Sequence, residues 1–138
     1  MFVAHSPFWS ACTDPAIGLD VSHWQGTSID WRACVELGAR WAVAKAWHGR
    51  GGLVSAAAQL AGARAALVPL VGVYAWMLPD QDLAAQVGAW CDPAADRGDL
   101  PLVIDFEEPG AMARGASLLA RLEYAIEHVS DRLGQRPI

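Results

Sequence analysis

The sequence predicts an α/β protein, a parallel (β/α) TIM-like barrel of which the chain covers about the first four β/α units, half a barrel. Three observations predict it. Near-continuous apolar strands alternate with helical segments four times, the pattern of a parallel sheet covered on both faces. The polar ends of the four strands, at Asp20, Lys45, Tyr74 and Asp105, are 25, 29 and 31 residues apart, which suits barrels that make eight units from about 250 residues. The chain then stops at "GQRPI", where a fifth strand is due. An open doubly wound sheet has similar spacing. However, "SHWQGTSID" after the first strand is not a G-x-G-x-x-G phosphate fingerprint, which disfavours a nucleotide fold.

Residues 1–15 read as an N-terminal extension, and Trp9 within it has no interpretable role. The first strand lies in "AIGLDVSHW", Ala16 to Trp24. In "SIDWRACVELGARW", Ile29, Ala33, Val35 and Leu37 give a loose helical face before Gly38. "WAVAKAW", Trp41 to Trp47, is the second strand, and "GRGG" breaks the chain after it. Ser55 to Ala66 is alanine-rich and helical by propensity. "LVGVYAWML" is the third strand, stopped by Pro79, and Asp80 to about Trp90 form a helix with a polar start. "LPLVIDFEE" is the fourth strand. The last helix is the clearest, with Leu118, Leu119, Leu122, Ala125, Ile126, Val129 and Leu133 at helical spacing and Gly134 placed to end it. Its Arg121, Glu123 and Glu127 read as the wet face, and His5 and His128 as solvated.

Composition narrows the function classes. The 138 residues are 54% hydrophobic and 18% charged, a compact chain with a core. The net charge of −5, with no run of Lys or Arg, argues against nucleic acid or an anionic membrane surface as partner. The most apolar run, Ala65 to Leu78, is too short to span a bilayer and contains a proline, so no membrane insertion is expected. The N-terminus has no basic start or sustained apolar stretch, so no signal peptide is read and localisation stays open. Cys12, Cys34 and Cys91 lack metal-like spacing and read as ordinary residues.

In a parallel α/β sheet the working residues lie at the carboxyl ends of strands. Here those ends carry Asp20, Ser22, His23 and Trp24; Lys45, Trp47 and His48; Tyr74 and Trp76; and Asp105 and Glu107. Asp105 and Glu107 are two apart, so on a strand they share a face at about 6.6 Å. Two carboxylates that close cannot both ionise comfortably, and one pKa should rise. A protonated acid beside a carboxylate is what cleavage of a glycosidic bond requires. A metal site would want further ligands, and neither His23 nor His48 has the spacing. His23 reads as orienting Asp20, and Lys45 as offsetting the acids. Trp24, Trp47 and Trp76 are candidates to line a glycan groove, because aromatic faces stack on sugar rings. Trp31, Trp41 and Trp90 read as core.

Four strings occur in order: "GLDVSHWQG" with "IDW", "VAKAWHG", "VGVYAW" and "LVIDFEE", over Ile17 to Glu108. Together they resemble the family 25 glycoside hydrolases, the lysozymes or muramidases that include phage endolysins and autolysins. The resemblance implies that residues 16–138 are the N-terminal part of a catalytic barrel. It implies cleavage of the β-1,4 bond after N-acetylmuramic acid in peptidoglycan. Glu107 then matches the general acid, Asp105 the carboxylate assisting the 2-acetamido group or water, and Asp20 the strand-one aspartate. Tyr74, Trp24, Trp47, Trp76 and Lys45 are the substrate-binding candidates. No metal or cofactor is implied, and the partner is a peptidoglycan glycan strand. The sequence departs from the family where K-A-T-E-G has become Lys45 to Gly49 with Trp47 and His48, and where the His of Y-H-F is Ala75. A late-strand aspartate of the family has no counterpart in these residues. Two other readings follow from the departures: a non-catalytic glycan-binding remnant, and a barrel hydrolase of another acetamido-sugar polymer. Half a barrel also leaves strand edges open, so self-association is expected.

Overall fold

The computed structural model describes residues 17–107 and 116–138. The N-terminal extension, with His5, Trp9 and Cys12, lies outside the described residues, as does Glu108. Within them, parallel strands alternate with helices and the sheet curls into a half-barrel.

The strands are β1 (Ile17–Val21), β2 (Ala39–His48), β3 (Gly51–Gly52), β4 (Leu70–Trp76) and β5 (Val103–Asp105). The helices are α1 (Trp31–Glu36), α2 (Ser55–Ala65), α3 (Leu83–Trp90) and α4 (Ala116–Leu133). The sheet order is β1-β2-β4-β5, all parallel, with β3 turning back on the end of β2. The "GRGG" segment is thus a small hairpin as well as a break. The fourth strand is shorter than the apolar run suggests, since Leu100 to Leu102 precede the ladder. Gly98, at φ +78°, bridges instead to Gly72, and Leu100 fills the space that Gly72 leaves open.

The pleat sorts each strand into two faces. Ala42, Ala44 and Ala46 of β2 and Val71, Val73 and Ala75 of β4 enter the core with Leu60 and Ala63 of α2 and Val87 and Trp90 of α3. Small residues on β2 let α2 lie close to the sheet. Ala125 and Val129 carry α4 onto the same layer, both fully buried, as the helical spacing predicts. Arg121, by contrast, is half-buried and donates to the Gln81 carbonyl at 2.7 Å. His128 stacks on Tyr124 with ring centres 3.8 Å apart.

The helices begin and end on side-chain and backbone signals. Asp30 caps α1 by accepting from Ala33 N–H at 3.0 Å, and Asp82 caps α3 by accepting from Ala85 N–H at 3.1 Å. Gly134, at φ +65°, closes α4 with its N–H on the Ser130 carbonyl.

Three buried side chains fasten the loops at the carboxyl end of the sheet. Gln59 of α2 donates to the carbonyls of Ser22 and Gly26, both at 2.7 Å. Gln86 of α3 accepts from Leu78 N–H at 2.9 Å and donates to Leu78 C=O at 2.8 Å. Trp90 donates its indole N–H to the Gly49 carbonyl at 2.7 Å. Loop backbone that must turn inward is thereby satisfied, which is why two glutamines are wholly buried.

At the far end of the sheet, Ile138 N–H donates to Leu102 C=O at 3.0 Å and Ile104 N–H donates to Ile138 C=O at 2.9 Å. Bonds to the residues either side of one position are the parallel-ladder pattern. "GQRPI" therefore brings Ile138 alongside β5 as strand-like backbone.

Candidate active site

The concave face of the sheet carries, from β1 to β5, Asp20, Lys45, Tyr74, Trp76 and Asp105, with Glu107 just beyond β5. Register explains the grouping: Asp20 pairs with Val43, two residues before Lys45 on the same face; Lys45 pairs with Tyr74; and Trp76 pairs with Asp105. Alternate residues on adjacent parallel strands share a side of the sheet. Residues from four separate strings so come into one hollow.

The groups of the hollow are electrostatically coupled. Burial, then Glu107 and Asp20, push the Asp105 carboxyl up to about 6, while the Lys45 ammonium pulls the other way. Burial pushes the Tyr74 hydroxyl up to about 12, and Asp20, Asp105 and Glu107 add to the shift. Burial lowers Lys45, against the opposing pull of Asp105 and Glu107. The Asp105 carboxyl thus has raised proton affinity, chiefly from burial and then from the neighbouring acids. Asp20 and Glu107 are exposed at the rim. Glu107 follows β5 rather than lying within it, so the pleat places Asp105 and the loop places Glu107.

Lys45, only 6% exposed, holds its Nζ 3.9 Å from the Trp76 ring centre and 5.9 Å from that of Tyr74. Among the described residues it makes no ion pair; the one formed there joins Arg64 to Asp96, on the outside of the sheet.

Trp47 does not join the group. The ladder shifts register between Lys45 and Trp47, leaving Ala46 as an extra residue. This β-bulge puts Trp47 opposite Ala75, on the helix face, and His48 opposite Trp76, on the concave face. Trp47 is buried in the core and lines an apolar cleft with Leu53, Val54 and Ala57. Its expected sugar-stacking role is therefore corrected to a packing one. His48 instead stacks on Trp76, with ring centres 6.1 Å apart and planes inclined by 11°.

Trp24 stands 83% exposed on a single 3-10 turn, His23–Gln25, which Ser22 and Gln25 close reciprocally. His23 stacks against Trp24 at 4.6 Å. Trp31 and Trp90 are buried, as read from the sequence, and Trp41 is half-buried, its ring lying flat against Gly18 where a Cβ would collide at 1.8 Å. Cys34 and Cys91 are free thiols. Among the described residues no cluster of His, Cys, Asp and Glu is arranged to hold a metal ion, and no helix is long and apolar enough to cross a membrane. Sequence reasoning missed Gln59, Gln86 and the stacking of Lys45 on Trp76; a polar residue on the apolar stripe of α2 or α3 was the available signal for the glutamines.

A curled parallel sheet with side chains gathered at its strand ends is how (β/α) barrel enzymes place their working residues. The model of glycosyl hydrolases family 25 matches residues 19–138, and the chain belongs to that family. No curated protein sequence matches it. Among solved structures it is similar to a family 25 glycosyl hydrolase from Bacillus anthracis, with 24% identity and a TM-score of 0.70 over 86% of this chain and 56% of that one. It is also similar to the muramidases of Trichobolus zukalii and Acremonium alcalophilum, each at 20% identity over 88% of this chain and 62% of theirs, with TM-scores of 0.72 and 0.74. At these identities the likeness is one of fold. The chain spans less than two thirds of the length of all three.

Proposed function

We propose that this chain forms the N-terminal half of a muramidase site that hydrolyses the β-1,4 bond between N-acetylmuramic acid and N-acetylglucosamine in peptidoglycan. The observation that carries the reading is the convergence of Asp20, Asp105 and Glu107, from two well-separated strands, on one concave face. In this reading Glu107 donates the proton to the leaving oxygen. Asp105 steadies the acetamido group or water that meets the anomeric carbon, and Asp20 holds the far side of the hollow. Asp105 ionises as pH rises through about 6, so a role as carboxylate makes turnover rise over the same interval. Trp24, Tyr74, Trp76 and Lys45 are the groups proposed to meet the glycan, Trp24 as an exposed stacking platform.

Replacing Glu107→Gln in the longest available form of the protein tests the assignment. Release of reducing sugar from peptidoglycan is expected to stop while the glycan is still bound; retained turnover overturns it. A second reading, glycan binding without turnover, draws support from His48 standing where family members carry a glutamate. Peptidoglycan pull-down with no hydrolysis by the full-length form selects it. Comparison of products from chitin and from wall sacculi separates the peptidoglycan substrate from other acetamido-sugar polymers.

A further inference from the structure

We propose that Trp76 is a positioning residue of the acid pair, its indole face holding the Lys45 ammonium out of ion-pair contact with Asp105 and Glu107. The inference deepens the muramidase reading, which supplies its significance, but its test reads a proton equilibrium rather than turnover, so the two can fail separately.

Three observations carry it. Lys45 is buried, and a buried ammonium must be compensated by an anion or by an aromatic face. Its Nζ lies 3.9 Å from the Trp76 centre, and it makes no ion pair among the described residues although Asp20, Asp105 and Glu107 share its hollow. The aromatic face is the compensation chosen. Second, the register sets Trp76 between the cation and the acid: on β4 it follows Tyr74, the partner of Lys45, and it is itself the partner of Asp105. Third, the Trp76 indole N–H is buried and has no hydrogen-bond partner among the described residues. Its ring is therefore oriented through its faces, on Lys45 and on the stacked His48, and not by its polar end.

The consequence is chemical. An ammonium in contact with a carboxylate lowers its pKa by about one to three units. Held on the indole, Lys45 neutralises part of the cluster's charge from a distance, so that Asp105 becomes a carboxylate only as pH rises through about 6. The groups facing Asp105 are Asp20 from β1, Lys45 from β2, Tyr74 from β4 and Glu107 beyond β5, with His48 reaching it through Trp76. Of these, Lys45 is the cation whose position the tryptophan determines.

The test is a carbon-detected NMR titration of the Asp105 carboxyl in the 138-residue chain. In W76L, the freed ammonium is expected to pair with the acids and the Asp105 midpoint to fall by about one unit or more. W76F, which keeps an aromatic face, is expected to restore most of the wild-type midpoint, an outcome that mere packing loss does not produce. A W76L midpoint equal to wild type in a folded chain overturns the proposal. If W76L does not fold, the wild-type ε-methylene protons of Lys45 decide it. Ring-current displacement upfield supports the contact, and random-coil positions overturn it.

Discussion

Gln59 on α2 spans 37 residues of sequence to donate its carboxamide hydrogens to Ser22, and the same nitrogen reaches Gly26. A core side chain thereby holds the loop that carries His23 and Trp24. Gln59→Leu keeps the volume and strands two carbonyls. Each buried group left without a partner costs about 1–3 kcal/mol, so urea denaturation is expected to show a loss in that range or above it. Gln59→Glu, which loses donors but stays polar, is expected to be no milder.

The Asp105 proton couples to folding. Its folded-state value, about 6, lies above its ordinary 3.8, so the folded chain binds the proton more tightly than the unfolded chain. That contribution is fully present below about pH 4 and is lost as pH rises through about 6. Denaturation at a series of pH values across this window is expected to show the slope, and Asp105→Asn, which has no proton to lose, is expected to flatten it.

The tryptophans divide by face. Trp47→Ala removes a buried core ring and is expected to cost about 3–5 kcal/mol. Trp24→Ala removes an 83% exposed ring and is expected to change stability by about 0.5 kcal/mol or less while weakening glycan binding. Thermal melts paired with peptidoglycan pull-down check both halves of the contrast.

β1 closes one side of the sheet with no further strand beside it among the described residues. Unpaired backbone on that edge is a template for another chain, so the 138-residue chain is expected to self-associate. Light scattering checks this, and a monodisperse monomer at high concentration counts against it.

The alternation of apolar strand and helix was legible because each β/α unit is local in sequence, and the spacing of Asp20, Lys45, Tyr74 and Asp105 survived into one concave hollow. The strings of a family resemblance marked the acids for the same reason: each sits at a strand end. What the sequence hid depends on long-range register. Nothing in "VAKAWHG" announces that Ala46 is surplus to the ladder, so regular alternation points Trp47 into the hollow, whereas the bulge puts His48 there. Nor does composition say that Lys45 prefers an indole to three nearby carboxylates, a choice made by side chains that meet only once β2, β4 and β5 lie together. The short β5 has a similar origin, because the Gly98 bridge to Gly72 diverts the backbone ahead of it.

The surplus alanine has a consequence for engineering this scaffold. Removing Ala46 alone is expected to leave Trp47 opposite Ala75 and His48 opposite Trp76, because the ladder does not count the residue removed, whereas straightening the bulge with Ala46 kept would turn the indole of Trp47 to the concave side. Chemistry in this segment is thus decided by counting as much as by identity. A column-by-column match to a sequence of equal length without the bulge would pair chemically similar letters that look in opposite directions.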